Sequence, residues 1–225
     1  LEFRRVLFRS ENIVKKLDLP KASEIPIAKE YLEKRRLDPE KFYFANKFKE
    51  WTNTQKVTFD TIGRDESRII IPMYDTDSNL IGFQGRALGP SSVKYITVML
   101  SDDAPKIYGL DTVKKDETVY ITEGPFDSTF IRNSIAMCGA DVDIGGWGFS
   151  DPVWVYDNEP RNKQIVDRID KTIQHGNKVI IWPTSIEQKD INDMVLAGLN
   201  VMDVLKSNTY SGLEAKIKFN NWKKI

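Results

Sequence analysis

The pattern of apolar and polar positions changes character partway along the chain. Around residues 11–45 the apolar positions are sparse and suggest short helices. Ile27, Tyr31 and Leu32 fall on one face of a pattern that Pro39 ends. Residues 46–67 are polar and show no clear period. Arg68-Ile69-Ile70-Ile71-Pro72-Met73 then reads as a strand, and Asp75-Thr76-Asp77-Ser78-Asn79 as a turn. Leu80 to Arg86 reads as a second strand and Val93 to Val98 as a third. Strands this close, joined by short turns, predict an antiparallel meander.

After Asp116 strands and helices alternate. Val119 to Thr122, Ser134 to Cys138, Val153 to Tyr156 and Lys178 to Trp182 are short apolar runs of strand type. Phe126 to Asn133, Arg161 to His175 and Asp190 to Ala197 read as helices. In the second of these, Ile165, Ile169 and Ile173 recur at intervals of four, and Gly176 stops it. Alternation of this kind predicts a parallel α/β sheet. The fold class expected is therefore mixed: an α+β basic subdomain with an antiparallel meander over 11–115, then an α/β subdomain with a parallel sheet over 116–200. A C-terminal helical segment covers 201–225. The Arg-rich stretch 1–10 differs in composition from the rest and reads as a non-native or disordered leader.

Composition narrows the chemistry. The 225 residues carry 33 basic and 33 acidic side chains, so binding to nucleic acid needs a local basic patch or bridging cations rather than bulk charge. One cysteine, Cys138, and one histidine, His175, permit no internal disulfide and no zinc site. They fit a reducing, cytoplasmic setting. Cys138 reads as a small buried apolar residue and His175 as a helix-end residue, not as a nucleophilic pair. No apolar run is long enough to cross a membrane.

Carboxylates follow the strands of the second half. Strand 119–122 delivers Glu123, with Asp127 one helical turn later. Strand 153–156 delivers Asp157 and Glu159. Strand 178–182 leads to Asp190 and Asp193. Ligands of parallel sheets bind at the carboxyl ends of strands, and a gathering of carboxylates there favours magnesium completed by substrate phosphates. Each piece also has a plainer reading. Pro125 suits a first helical turn, Asp157 to Pro160 a helix start, and Asp190 a cap. In the first half Arg68, Arg86, Lys94 and Lys106 form either a solvated face or a groove for nucleotide phosphates and template.

These residues carry a resemblance. Val119 to Asp127 resembles the first acidic motif of the TOPRIM domain, Asp157-Asn158-Glu159 its second motif, and Lys189-Asp190-Ile191-Asn192-Asp193 the third acidic segment of primases. Upstream, Arg68-Ile69-Ile70-Ile71-Pro72, Gly82-Phe83-Gln84-Gly85-Arg86, Lys94-Tyr95 and Lys106-Ile107-Tyr108-Gly109-Leu110 resemble the basic subdomain that precedes TOPRIM in primases of the bacterial and T-even bacteriophage class. Tyr31-Leu32-Glu33-Lys34-Arg35 resembles the entry helix of that family.

The resemblance covers roughly residues 25–200. It implies magnesium- or manganese-dependent synthesis of RNA primers from ribonucleoside triphosphates on single-stranded DNA, beside a replicative helicase. By the same resemblance Glu123 is the catalytic acidic residue. Asp157 and Glu159 hold the metal, helped by Asp190 and Asp127, and Arg68, Arg86, Lys94 and Lys106 contact nucleotide or template. Glu159 stands where the family usually has a second Asp, and the family's zinc-binding domain is not expected in this chain. Two competing functions are another TOPRIM enzyme of nuclease or topoisomerase type, and a non-catalytic module that binds single-stranded DNA or a helicase.

Overall fold

The computed structural model describes residues 17–139 and 144–225. The expected leader at 1–10 lies outside these residues. Two sheets form the framework. The first contains β1 (Tyr43–Ala45), β2 (Arg68–Tyr74), β3 (Leu80–Ala87) and β4 (Tyr95–Met99), antiparallel and in that order. The expected meander is present and has a fourth strand. β1 was not legible because three residues, Tyr43-Phe44-Ala45, hold too little pattern to establish a period of two. It pairs with β2 through Phe44 opposite Ile69.

Helix α1 (Pro26–Glu33) precedes this sheet and α2 (Phe48–Gln55) crosses it. Pro26 starts α1 with a preset φ. Its buried stripe is Ala28 and Leu32, four residues apart, while Ile27 is exposed. The expected face of Ile27, Tyr31 and Leu32 is thus turned by about one residue, because Ala28 meets the Phe42–Phe44 layer. Helix α2 falls in the stretch that showed no period. It packs through two aromatics, Phe48, fully buried, and Trp51, partly buried, both against Phe83.

The second sheet has the order β6-β5-β7-β8-β9. β5 (Thr118–Thr122), β6 (Ser134–Ala136), β7 (Asp151–Val155) and β8 (Lys178–Ile180) are parallel, and β9 (Thr209–Tyr210) closes the edge antiparallel. β5, buried along Val119 to Thr122, is the near-continuous apolar run expected of a strand covered on both faces. Short helix α3 (Pro125–Ser128) follows β5, and it stops well before Asn133. Asn133 itself has a positive φ, its amide tied to Lys114 and Thr118 carbonyls.

Helix α4 (Lys163–Gln174) covers the sheet with Ile165, Val166, Ile169 and Ile173. Asn162 caps its start and Gly176, with φ 76°, ends it. Helices α5 (Ile191–Leu196), α6 (Val201–Ser207) and α7 (Gly212–Trp222) complete the C-terminal region. The helical tail expected beyond residue 200 is therefore two helices separated by β9. Among the described residues no helix is long and apolar enough to cross a membrane.

The sheets are joined through Phe126. Its ring meets Phe42 edge-on at 5.3 Å and Tyr95 at 6.4 Å. Thr97 Oγ1 donates to the Cys138 carbonyl at 3.1 Å, and Tyr108 bridges to Ala136. These contacts set the first sheet over the carboxyl edge of the second.

Two glycines of β3, Gly82 and Gly85, have no room for a side chain. A Cβ on Gly85 would lie 2.4 Å from the Phe48 ring. Gly85→Ala is expected to cost about 1–3 kcal/mol by overpacking. Thermal or urea unfolding of the variant beside wild type measures this, and equal midpoints would show that Phe48 can move aside.

Candidate active site

The three strands that deliver acidic residues are neighbours, in the order β5-β7-β8. Their carboxyl ends open on a cavity of about 380 Å³, lined by Glu123, Asp127, Asp157 and Asp190 on one side and by Gln84, Lys94, Tyr95 and Thr97 of the first sheet on the other. Lys189 and the Cys138–Gly139 turn complete the wall. The acidic members thus come from the parallel sheet and most of the polar roof from the antiparallel one.

Each carboxylate has a distinct setting. Glu123 leaves β5 and is held by Arg168 of α4, whose Nη1 donates to Oε2 at 2.9 Å. Its Oε1 is buried with no hydrogen-bond partner among the described residues. Burial raises the Glu123 carboxyl above its ordinary range, although Arg168 pulls it down. Asp127, in α3, accepts the Asn192 backbone N–H at 3.0 Å. Burial, then the charges of Asp190 and Asp157, push it up to about 7. Asp157, at the end of β7, is also pushed up to about 7, by burial first and then by Glu123 and Asp190.

Asp190 caps α5 by accepting the Asp193 N–H at 2.7 Å, so the capping reading is realised while the residue also lines the cavity. Asp193 is exposed and does not line it. Glu159, expected as a metal ligand, does not line the cavity; it lies between Lys189 Nζ at 3.3 Å and Asn162 Nδ2 at 3.3 Å.

The expected cations divide. Lys94 lines the cavity. Burial lowers its ammonium pKa, followed by the charges of Arg86, Arg35 and Lys189. Arg86 is buried beneath it, its guanidinium 4.6 Å from the Tyr95 ring centre and its Nε donating to Tyr31 Oη at 2.9 Å. Arg68 is only 1% exposed. Its guanidinium pairs with Glu66 and donates to the carbonyls of Gly85 and Val93. That use of its donors ties the ends of β2, β3 and β4 together and leaves no face toward the cavity. Lys106 is exposed and outside the cavity wall.

Three positively charged residues of the site have no signal of their own in the sequence. Arg168, Lys189 and Arg35 all occur in charged stretches that look like solvated surface. Arg35 reaches across from the end of α1. Its Nη1 donates to Asn192 Oδ1 at 3.0 Å and its carbonyl accepts Asn192 Nδ2 at 2.8 Å. Asn192, 4% exposed, thereby joins the first sheet's entry helix to the N–H that holds Asp127.

Cys138 and His175 do not form a nucleophilic pair. Burial pushes the Cys138 thiol up to about 12, and His175 is exposed, with Nδ1 on the Lys171 carbonyl at 2.7 Å.

Among the described residues no three His, Cys, Asp or Glu side chains stand close enough to form a ready coordination set. The chemistry of the wall nevertheless fits a divalent cation. Four carboxylates share one cavity, two of them are destabilised by burial and mutual repulsion, and Glu123 Oε1 lacks a partner among the described residues. An oxygen-seeking cation relieves all three.

No family model matches the chain. Among curated proteins it is similar to the DNA primase of Enterobacteria phage T4, 36% identical over 214 residues, which is 91% of this chain and 62% of that protein. The chain therefore spans about three-fifths of the length of this relative. Among solved structures it is similar to the Escherichia coli primase catalytic core, with a TM-score of 0.65, 17% identity, and coverage of 90% of this chain and 80% of that one. It is also similar to a DnaG primase catalytic domain bound to single-stranded DNA, with a TM-score of 0.60, 17% identity, and coverage of 84% and 73%. The fold is thus that of primase catalytic cores, and the resemblance read from the motifs extends along most of the chain.

The raised carboxyls make stability depend on pH in a definite direction. Asp127 and Asp157 bind protons more tightly folded than at their ordinary value of 3.8. Their contribution to stability is complete below that value and is lost as pH rises through about 7. In a chelator, Asp127→Asn is expected to gain thermal stability relative to wild type as pH goes from about 4 to about 8, and added divalent cation should close the gap. Parallel melting profiles for the two proteins would contradict the mutual repulsion.

Proposed function

We propose that this chain is the catalytic part of a DNA primase, joining ribonucleotides on a single-stranded DNA template by cation-dependent nucleotidyl transfer. The observation that carries the reading is the convergence of Glu123, Asp157 and Asp190 from three adjacent strand ends onto one cavity, roofed by Lys94. The 36% identity to a phage DNA primase supports the same reaction. The solved primase domain bound to single-stranded DNA supports the template class.

In this scheme Asp157, Asp190 and Glu123 would hold a magnesium or manganese ion, with Glu159 beyond the cavity wall and Asp127 supporting. When bound, the ion neutralises charge developing on the phosphates and favours ionisation of the attacking 3′-hydroxyl. The chain's own groups do the rest. Arg168 fixes the Glu123 carboxylate through Oε2 at the end of β5. The Asn192 N–H fixes Asp127. Lys94 faces the triphosphate across the cavity, and Arg86 stacks on Tyr95 to keep that wall in place. Arg68 serves by holding the three-strand end together rather than by touching nucleotide. Lys106 lies on the exposed surface, where the template backbone is the available partner. The proposed setting is the cytoplasm of a host cell, with a replicative helicase as partner.

The test is synthesis of short products from labelled ribonucleotides on single-stranded DNA. Glu123→Gln and Asp157→Asn are each expected to lower the rate by about a hundredfold or more, as loss of a positioned charge at a reacting centre does. Unchanged synthesis by a folded Asp157→Asn protein would defeat the mechanism. Strand nicking in place of synthesis would move the chain to the nuclease class.

A further inference from the structure

Lys189 carries a role that neither its motif position nor the acidic cluster explains. Its backbone is fixed. The Asn158 N–H donates to the Lys189 carbonyl at 2.6 Å, and Asn158 Nδ2 holds the preceding loop through the Ile186 and Gln188 carbonyls at 2.9 and 3.1 Å. Asn158 is itself held by Trp222 Nε1 of α7 at 2.9 Å. The side chain therefore starts from a set point beside Asp157 and Glu159 and immediately before Asp190. Its ammonium lies 3.3 Å from Glu159 Oε1, and it shares the cavity wall with Lys94, Glu123, Asp127 and Asp157.

We propose that Lys189 is an internal counter-ion of the active site, which holds the mouth of the acidic cluster until a divalent cation enters and then turns its ammonium to the triphosphate of the incoming nucleotide. The inference rests on the proposed function and deepens it. An ammonium on a four-carbon stem suits such a transfer, because it binds as a mobile point charge with no fixed fork to satisfy. Its pair with Glu159 is half-exposed and adds little to folding, since its members are 54% and 30% exposed. A stable partner group is therefore not its main use.

Gln84 is a second polar side chain of the cavity wall, and its amide is held from within the protein. Thr97 gives its hydroxyl proton to the Cys138 carbonyl, so its oxygen accepts from Gln84 Nε2 at 2.9 Å. That fixes the amide, and Gln84 Oε1, in a side chain 5% exposed, is buried without a donor among the described residues. Gln84 lines the same cavity wall.

The experiment is calorimetric titration of Mn²⁺ alone into wild type, Lys189→Met, Lys189→Arg and Asp157→Asn, followed by nucleotide kinetics at saturating Mn²⁺. Lys189→Met is expected to bind Mn²⁺ about three- to tenfold more tightly than wild type, because a competing charge is gone. Lys189→Arg should stay near wild type. In the kinetics, Lys189→Met should raise KM for ribonucleoside triphosphate about tenfold with a smaller change in kcat, the split expected of a phosphate contact made on binding. Mn²⁺ affinity equal to or below wild type in Lys189→Met, or an unchanged KM, would overturn the counter-ion role alone. Wild type that binds no Mn²⁺, or binds it no better than Asp157→Asn, would instead remove the cation site on which the proposed function stands.

Discussion

The structure is organised around the cost of placing several carboxylates at one edge of a parallel sheet. Asp127 and Asp157 are substantially buried there, and each is pushed up to about 7 by desolvation and by its acidic neighbours. Uncompensated, such a cluster destabilises the folded chain. The compensations are visible one by one: Arg168 on Glu123, the Asn192 N–H on Asp127, and Lys189 on Glu159. None of them neutralises the whole group, which leaves a site still short of positive charge.

That deficit explains why the two sheets meet where they do. The antiparallel sheet brings Lys94, Arg86 and, through α1, Arg35 toward the acidic edge. The arrangement is fixed by apolar and polar contacts together. Phe126 packs on Phe42 and Tyr95 directly beside Asp127, and Asn192 is hydrogen-bonded to Arg35 from one side while its N–H serves Asp127 on the other. Displacing the first sheet would therefore disturb the acidic cluster even though that sheet contributes no carboxylate to it.

Much of this was readable from the chain before any coordinates. Strands with full apolar runs, such as Arg68–Tyr74 and Thr118–Thr122, announce themselves because burial on both faces demands continuous hydrophobicity. The carboxylates Glu123, Asp157 and Asp190 were legible because each directly follows a strand or caps the helix after one. What stayed hidden has physical causes. β1 and β9 are too short to show a period, and α2 offers only two aromatics, Phe48 and Trp51, among polar residues. Arg68 opens a strand and looks like a groove cation, yet only its tertiary partners, the carbonyls of Gly85 and Val93, show that its charge is used inside the sheet. Arg168 was missed, and Arg35 and Lys189 were seen only as members of resembling segments with no role assigned, for the converse reason. A cation on a helix end or loop looks the same in sequence whether it faces water or a buried carboxylate.

The balanced charge of the chain then acquires a meaning. With 33 basic and 33 acidic residues, attraction for a polyanion cannot come from the molecule as a whole. It must come from separation of charge on the scale of a single cavity, with Lys94 on the wall of the first sheet and Lys189 beside the carboxylates themselves. Those carboxylates repel a triphosphate unless a cation lies between them, so cation and nucleotide each bind better in the presence of the other, and by the same factor. In the proposed primase, that coupling makes a productive complex depend on both arriving together, and it follows from where the sheet edge puts its carboxylates rather than from any moving part.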